Sequence, residues 1–121
     1  MGSEFDRCDL KERTTAFAIA IVKLYSALPK QDRYEVQIAS KQMIRSGTSV
    51  AANFREAARA RSKADFISKI ELCTQEADET LLWLEVLEKG CNLTTETIEA
   101  LKKETDELIA IFVTMSKNSK S

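Results

Sequence analysis

Apolar and small residues recur along this chain at alternating steps of four and three. Leu10, Thr14, Phe17, Ile21, Leu24 and Leu28 form the first such series. Steps of that kind hold one stripe on one face of an α-helix. Asp9-Leu-Lys-Glu12 has the spacing of a capping box and predicts the helix start. Pro29 predicts its end, because proline removes a backbone donor and moves its predecessor out of the helical region.

The rhythm resumes at Val36, Ser40, Met43, Gly47, Val50, Phe54 and Ala57, after a second capping box, Asp32-Arg-Tyr-Glu35. It passes through Ser46-Gly47-Thr48 in phase, so one long helix is expected there. Glycine inside a helix costs about 1 kcal/mol against alanine. The expected compensation is close approach of a neighbouring helix, over a surface extended by Ala51, Ala52, Ala57, Ala58 and Ala60. A turn at Ser-Gly-Thr is the competing reading, since glycine is a strong breaker.

Ser62-Lys-Ala-Asp65 is a third capping box, with a helix starting near Lys63 and a seam of Phe66, Ile70, Cys73, Ala77, Thr80, Leu84 and Leu87. Gly90 stands where a left-handed C-terminal residue is wanted. Thr94 or Thr95 caps a fourth helix with Ile98, Leu101, Thr105, Leu108, Phe112 and Met115 in its seam. The chain beyond Ser116 is expected to fray. Four amphipathic helices on short connections predict an all-α, up-down-up-down antiparallel four-helix bundle. The seam hydroxyls of Thr14, Ser40, Thr80 and Thr105 can bond the carbonyl one turn back.

Composition supports this reading. One proline and three glycines in 121 residues are too few for a turn-rich β fold. The length suits one domain, taken as residues 9–117, with 118–121 as the frayed end. Met1-Gly-Ser-Glu-Phe5 reads as a cloning remnant, and residues 1–8 are set outside the fold. No apolar run approaches the roughly 20 residues of a membrane span, and no export signal is legible, so a cytoplasmic location is the default.

The chemistry of most sites is missing. There is no histidine, and Cys8, Cys73 and Cys91 have no metal-ligand spacing. All three cysteines read as structural. Carboxylate pairs such as Glu76 with Glu79 or Asp78 read as surface residues, and Ser46, Thr48 and Ser49 lack a histidine base. Glycines are too few for a phosphate loop. No catalytic residue, metal or cofactor is assigned, and the protein is expected not to be an enzyme.

Charge is uneven although the net is −1. Between Lys30 and Lys63 eight basic residues stand against three acidic ones; between Glu71 and Glu107 eleven acidic residues stand against three basic. Three readings of the basic cluster compete. It is a solvated face in which Arg55 or Arg59 pairs with Glu76 or Glu79; it is an inter-subunit contact; or it binds nucleic-acid phosphate. For the last, the candidate residues are Arg45, Arg55, Arg59, Arg61 and Lys63, since arginine forks suit phosphate. A pI of 5.6 is far from the footprint of a dedicated nucleic-acid binder.

Apolar residues also exceed what one bundle buries, about three positions in seven. Beyond the seams lie Ile19 and Val22, then Leu72, Leu81, Leu82, Trp83 and Val86, then Ile109, Ile111 and Val113. Such surplus points to association, and self-association is its simplest form.

Several blocks carry a resemblance. They are Arg13-Thr-x-x-Phe17, Leu28-Pro-Lys30, Arg45-Ser-Gly-Thr-Ser-Val-Ala-Ala-Asn53, Arg55-Glu-Ala57, Arg59, Arg61-Ser62, Asp65-Phe66, Lys69, Glu76-Ala-Asp-Glu-Thr80 and Trp83-Leu84. From about Leu10 to about Leu87 the chain resembles the bacterial four-helix-bundle family also called 23S rRNA-intervening-sequence proteins. The resemblance implies a four-helix bundle assembled as a ring-like homopentamer. A related branch, the accessory proteins of diversity-generating retroelements, consists of basic pentamers that bind reverse transcriptase and nucleic acid. This chain departs from that branch in its acidic pI, which bears on nucleic-acid binding and not on fold or assembly. The implied partners are copies of itself, with RNA or a nucleic-acid-processing protein as the further candidates. The family is named for the location of its genes, which is not evidence of ribosome binding.

Overall fold

In the computed structural model, which describes residues 7–121 with side chains from Asp9 onward, each predicted seam closes on the others. The helices are α1 (Arg7–Ala27), α2 (Tyr34–Ala58), α3 (Lys63–Glu85) and α4 (Glu96–Lys120), with one wide helical turn at Val86–Gly90. Sequential neighbours run antiparallel, and no strand occurs among the described residues. α2 and α3 pack along the greatest length, and α1 and α4 meet along the shortest. Every residue of the first three seams is buried; in the fourth, Met115 is only half-buried and Ser116 and Ile111 are buried. Phe54 of α2 and Phe112 of α4, both fully buried, bring their rings to 6.4 Å at 29° across the centre.

α2 is unbroken through Ser46-Gly47-Thr48, so the alternative turn is not formed. Gly47 faces Ile21 of α1. A Cβ built at Gly47 would lie 3.0 Å from both Cγ1 and Cγ2 of Ile21. The absent side chain is therefore what lets α1 come this close. On the flank toward α3, the hydroxyls of Thr80 and Ser46 meet at hydrogen-bond distance, 2.8 Å. The seam hydroxyls are satisfied locally, as expected: Thr14 on Leu10 O, Thr80 on Glu76 O and Thr105 on Leu101 O, at 2.6–2.8 Å. Ser40 bonds Gln37 O at 3.3 Å.

Two of the four predicted caps hold. Ser62 accepts from Asp65 N at 3.0 Å and Thr95 from Ile98 N at 3.1 Å. α1 instead begins at Arg7, so Asp9 lies in its first turn, where its charge suits the helix dipole. Residues 1–6 of the segment set outside the fold lie outside the described residues, while Arg7 and Cys8 are helical backbone. In α2 the cap position is Arg33, with no side-chain bond, because Asp32 takes a left-handed backbone with φ 62°. Gln37 Nε2 ties this connection by donating to Lys30 O at 2.8 Å.

Gly90 is not the left-handed residue either. The wide turn, closed by Cys91 N donating to Val86 O at 3.0 Å, carries the helical path past Gly90. The left-handed position falls to Asn92, φ 59°, a residue type that tolerates it. This keeps Leu87 and Cys91 buried together. Lys102 of α4 holds the turn through Glu88 at 2.7 Å. α4 is helical to Lys120, whose Nζ reaches Glu71 of α3 at 2.7 Å.

Gly47→Ala should lower stability. Overpacking against Ile21 costs about 1–3 kcal/mol, and the gain in helix propensity is about 1 kcal/mol. In an Ile21→Ala background the same change should stabilise, and a denaturant double-mutant cycle reads the reversal.

Candidate functional site

The five basic residues singled out from the sequence do not form one patch. Arg45 projects from the middle of α2 toward α3, where its Nη2 meets Glu79 Oε2 at 2.7 Å. Glu76 Oε1 lies 3.5 Å from the same nitrogen, close enough for charge attraction, yet it is enclosed and accepts no hydrogen bond. The bond to Glu79 strengthens the charged form of Arg45, and Arg45 in turn holds the Glu79 carboxyl below its ordinary range. Trp83 Nε1 approaches that carboxylate at 3.5 Å.

The expected pairing of Arg55 or Arg59 with Glu76 or Glu79 is thus corrected: Arg45 makes it. α3 packs on the flank of α2 that carries Ser46, whereas Arg55 lies on the flank facing α1 and donates to Thr15 Oγ1 at 3.0 Å. Arg45 and Arg59 are fourteen residues apart along α2, about 21 Å at a helical rise.

Arg59, Arg61 and Lys63 do come together, at the corner between α2 and α3. Arg59 ends α2, and Ser62 opens α3. The link closes tightly through Ala60 N on Ala57 O and Phe66 N on Ser62 O, each at 3.0 Å. Arg61, Ser62 and Lys63 line a shallow recess of about 350 Å³ with Phe66 and, from the end of α4, Ser119. All three basic residues are exposed and form no ion pair with any described residue. The negative end of the α2 dipole and the positive end of the α3 dipole meet at this corner, so its positive character rests on Arg59, Arg61 and Lys63.

No arrangement for catalysis appears around the hydroxyls considered earlier. Ser46 is buried and donates to Met43 O, Thr48 to Ile44 O and Ser49 to Arg45 O. Among the described residues no group of His, Cys, Asp and Glu is placed to hold a metal. Cys73 packs beneath Val50 O with its thiol pushed up to about 12 by burial, and burial also raises the thiol of Cys91. Both are core fillers; Cys8 falls outside the described side chains. No described helix is long and apolar enough to cross a membrane.

The apolar surplus sorts itself by face. Ile19, Val22, Leu82 and Val113 remain 41–51% exposed. Leu72 and Leu81 are half-buried, and Trp83, Val86 and Ile109 are half-buried against the core. Ile111 was expected among the surplus but is buried, because α4 turns that flank toward the bundle. Tyr34 and Ile38, at the start of α2, are exposed and were missed. Their position off the seam was the available signal. On the α1–α2 side, Ala18, Ile19, Val22 and Ala51 line a recess of about 330 Å³ with Thr15 and Lys23.

Comparison with known proteins agrees with the architecture. The sequence model of one family, described as 23S rRNA-intervening sequence protein, matches residues 7–114. The chain is also similar to a crystal structure from Bacteroides thetaiotaomicron, of a protein with unknown function from the S23 ribosomal protein family. The two share 38% identity over 88% of this chain and 97% of that one, with a TM-score of 0.78. No curated protein matches the chain significantly.

The Arg45–Glu79 pair should be visible in the acid limb of stability. A carboxyl with a lowered folded pKa contributes fully above its unfolded value, about 4.3, and loses that contribution as pH falls through the folded value. The pair is half exposed, so the contribution is about 0.2–1 kcal/mol. Urea midpoints from pH 7 to pH 2.5 should show a shallower acid loss for Glu79→Gln than for the wild type.

Proposed function

The chain belongs to the 23S rRNA-intervening sequence protein family, and from that premise we propose that it is a non-enzymatic homo-oligomeric bundle, assembled as a pentamer, that serves as an assembly or binding module. One observation carries this reading. After the four seams have closed, Ile19, Val22, Leu82 and Val113 still lie 41–51% open to solvent. Apolar surface beyond what the core needs favours a protein contact, and copies of one chain most often satisfy it in closed symmetry. The non-enzymatic part rests on hydroxyls turned to their own backbone. Light scattering on the purified chain should return five times the 13.6 kDa chain mass. A monomer at micromolar concentration would overturn the reading.

A second reading has its own observation, the exposed corner of Arg59, Arg61 and Lys63, which forms no ion pair among the described residues. In it the module binds RNA phosphates at that corner. This reading leaves out Arg45, which pairs with Glu79, and Arg55, which donates to Thr15 on the α1 side. Each neutralised phosphate of a single strand adds about 0.7 to the slope of log affinity against log salt. RNA binding should therefore weaken steeply between 50 and 200 mM salt, fall with Arg61→Glu or Lys63→Glu, and survive Arg45→Ala. No binding at the lowest salt favours a purely structural or protein-partner module.

A further inference from the structure

Among the outward apolar positions, Ile19 and Val22 lie on one face and Leu82 on another. One is the groove between α1 and α2, where Ile19 and Val22 stand over Ala51, flanked by Lys11, Lys23 and Arg55, with Glu12 as the one acidic lining residue. In the same α1–α2 interface, Gly47 packs against Ile21, the residue before Val22. The other is the outer face of α3, where Leu82 is half exposed. Asp78 is one turn below Leu82, with Glu85 beside it and Lys89 at the far end of the helix.

Pairing either face with itself would set like charges together: lysines and Arg55 in one case, Asp78 and Glu85 in the other. Pairing one with the other sets basic rim against acidic rim, around apolar centres. The two centres also lie at nearly one height along the bundle. Gly47 touches Ile21, Arg45 reaches Glu79 from two residues away, and Leu82 follows Glu79 by three. Val22 and Leu82 are thus separated by about one helical turn along the axis.

We infer that the α1–α2 groove of one copy receives the Leu82 face of the next. The contact is heterologous, and it rests on the self-association proposed above. A heterologous contact of this kind gives the closed assembly proposed above when its rotation returns to the start, with the copies tilted enough to take up the one-turn offset.

The test uses the full chain, with Val22→Asp on the groove and Leu82→Arg on α3, read by light scattering and by helical circular dichroism. Both sites are surface positions, and Val22→Ser with Leu82→Ser provide a milder pair should either charge change impair folding. Each variant alone should lose assembly while staying helical. Mixing the two should restore 1:1 complexes, because each still carries one intact face. Two oligomeric variants of wild-type mass would overturn this pairing and leave self-association standing. Loss in one variant only, with no rescue on mixing, would show a face that meets itself and would also overturn it. A wild-type monomer would instead remove the self-association on which the inference depends.

Discussion

The approach of α1 to α2 at Gly47 is the constraint on which the rest of the bundle depends. With Ile21 side-chain atoms already 3.0 Å from where a Cβ would sit, a larger residue fits only if Ile21 gives way. One residue earlier, the Ser46 hydroxyl lies within hydrogen-bond distance of Thr80 from α3. A single turn of α2 therefore sets its distance to both neighbours. The helix-propensity cost of a mid-helix glycine, about 1 kcal/mol, is the counterpart of dispersion contacts that only close packing supplies. Phe54 and Phe112 then fill the centre that these distances leave.

Polar groups in the interior follow the same economy of distance. Each seam threonine turns its hydroxyl onto its own helix, so no partner helix must supply an acceptor. Where α1 and α4 meet only briefly, charge does more of the joining. Arg13 forks onto Glu104 at 2.7 and 2.8 Å and also reaches Glu107, which raises its own basicity. Glu88 and Lys102 do the same for the wide turn at the end of α3. Bidentate geometry of the Arg13 kind is the form in which a half-exposed pair contributes most.

Family membership gives this architecture a context without giving it an activity, since the similar solved structure is itself of unknown function. What distinguishes the molecule physically is the division of its surface. The α2–α3 corner is basic and exposed, the α1–α2 groove is apolar with a basic rim, and the outer face of α3 is apolar with an acidic rim. An acidic chain can carry all three because charge is segregated by helix, and segregation matters for contacts more than the net of −1 does.

The sequence by itself determined four helices, their seams, the continuity of α2 through Gly47 and the cap at Ser62, and it narrowed the last cap to Thr94 or Thr95. All of these follow from local periodicity and from hydrogen bonds spanning three or four residues. It also marked Ile19, Val22, Leu82 and Val113 as surplus, because those positions are off-phase with the seam. Only the tertiary structure decided that Arg45, not Arg55 or Arg59, faces Glu79, that Ile111 turns inward, and that Asn92 takes the left-handed turn after a widened helix end. Those outcomes depend on which flank each helix shows its neighbour, on packing between segments more than thirty residues apart. Long flexible side chains such as arginine and glutamate can satisfy several rotational settings equally well. Buried contacts such as Gly47 against Ile21 are what choose among them.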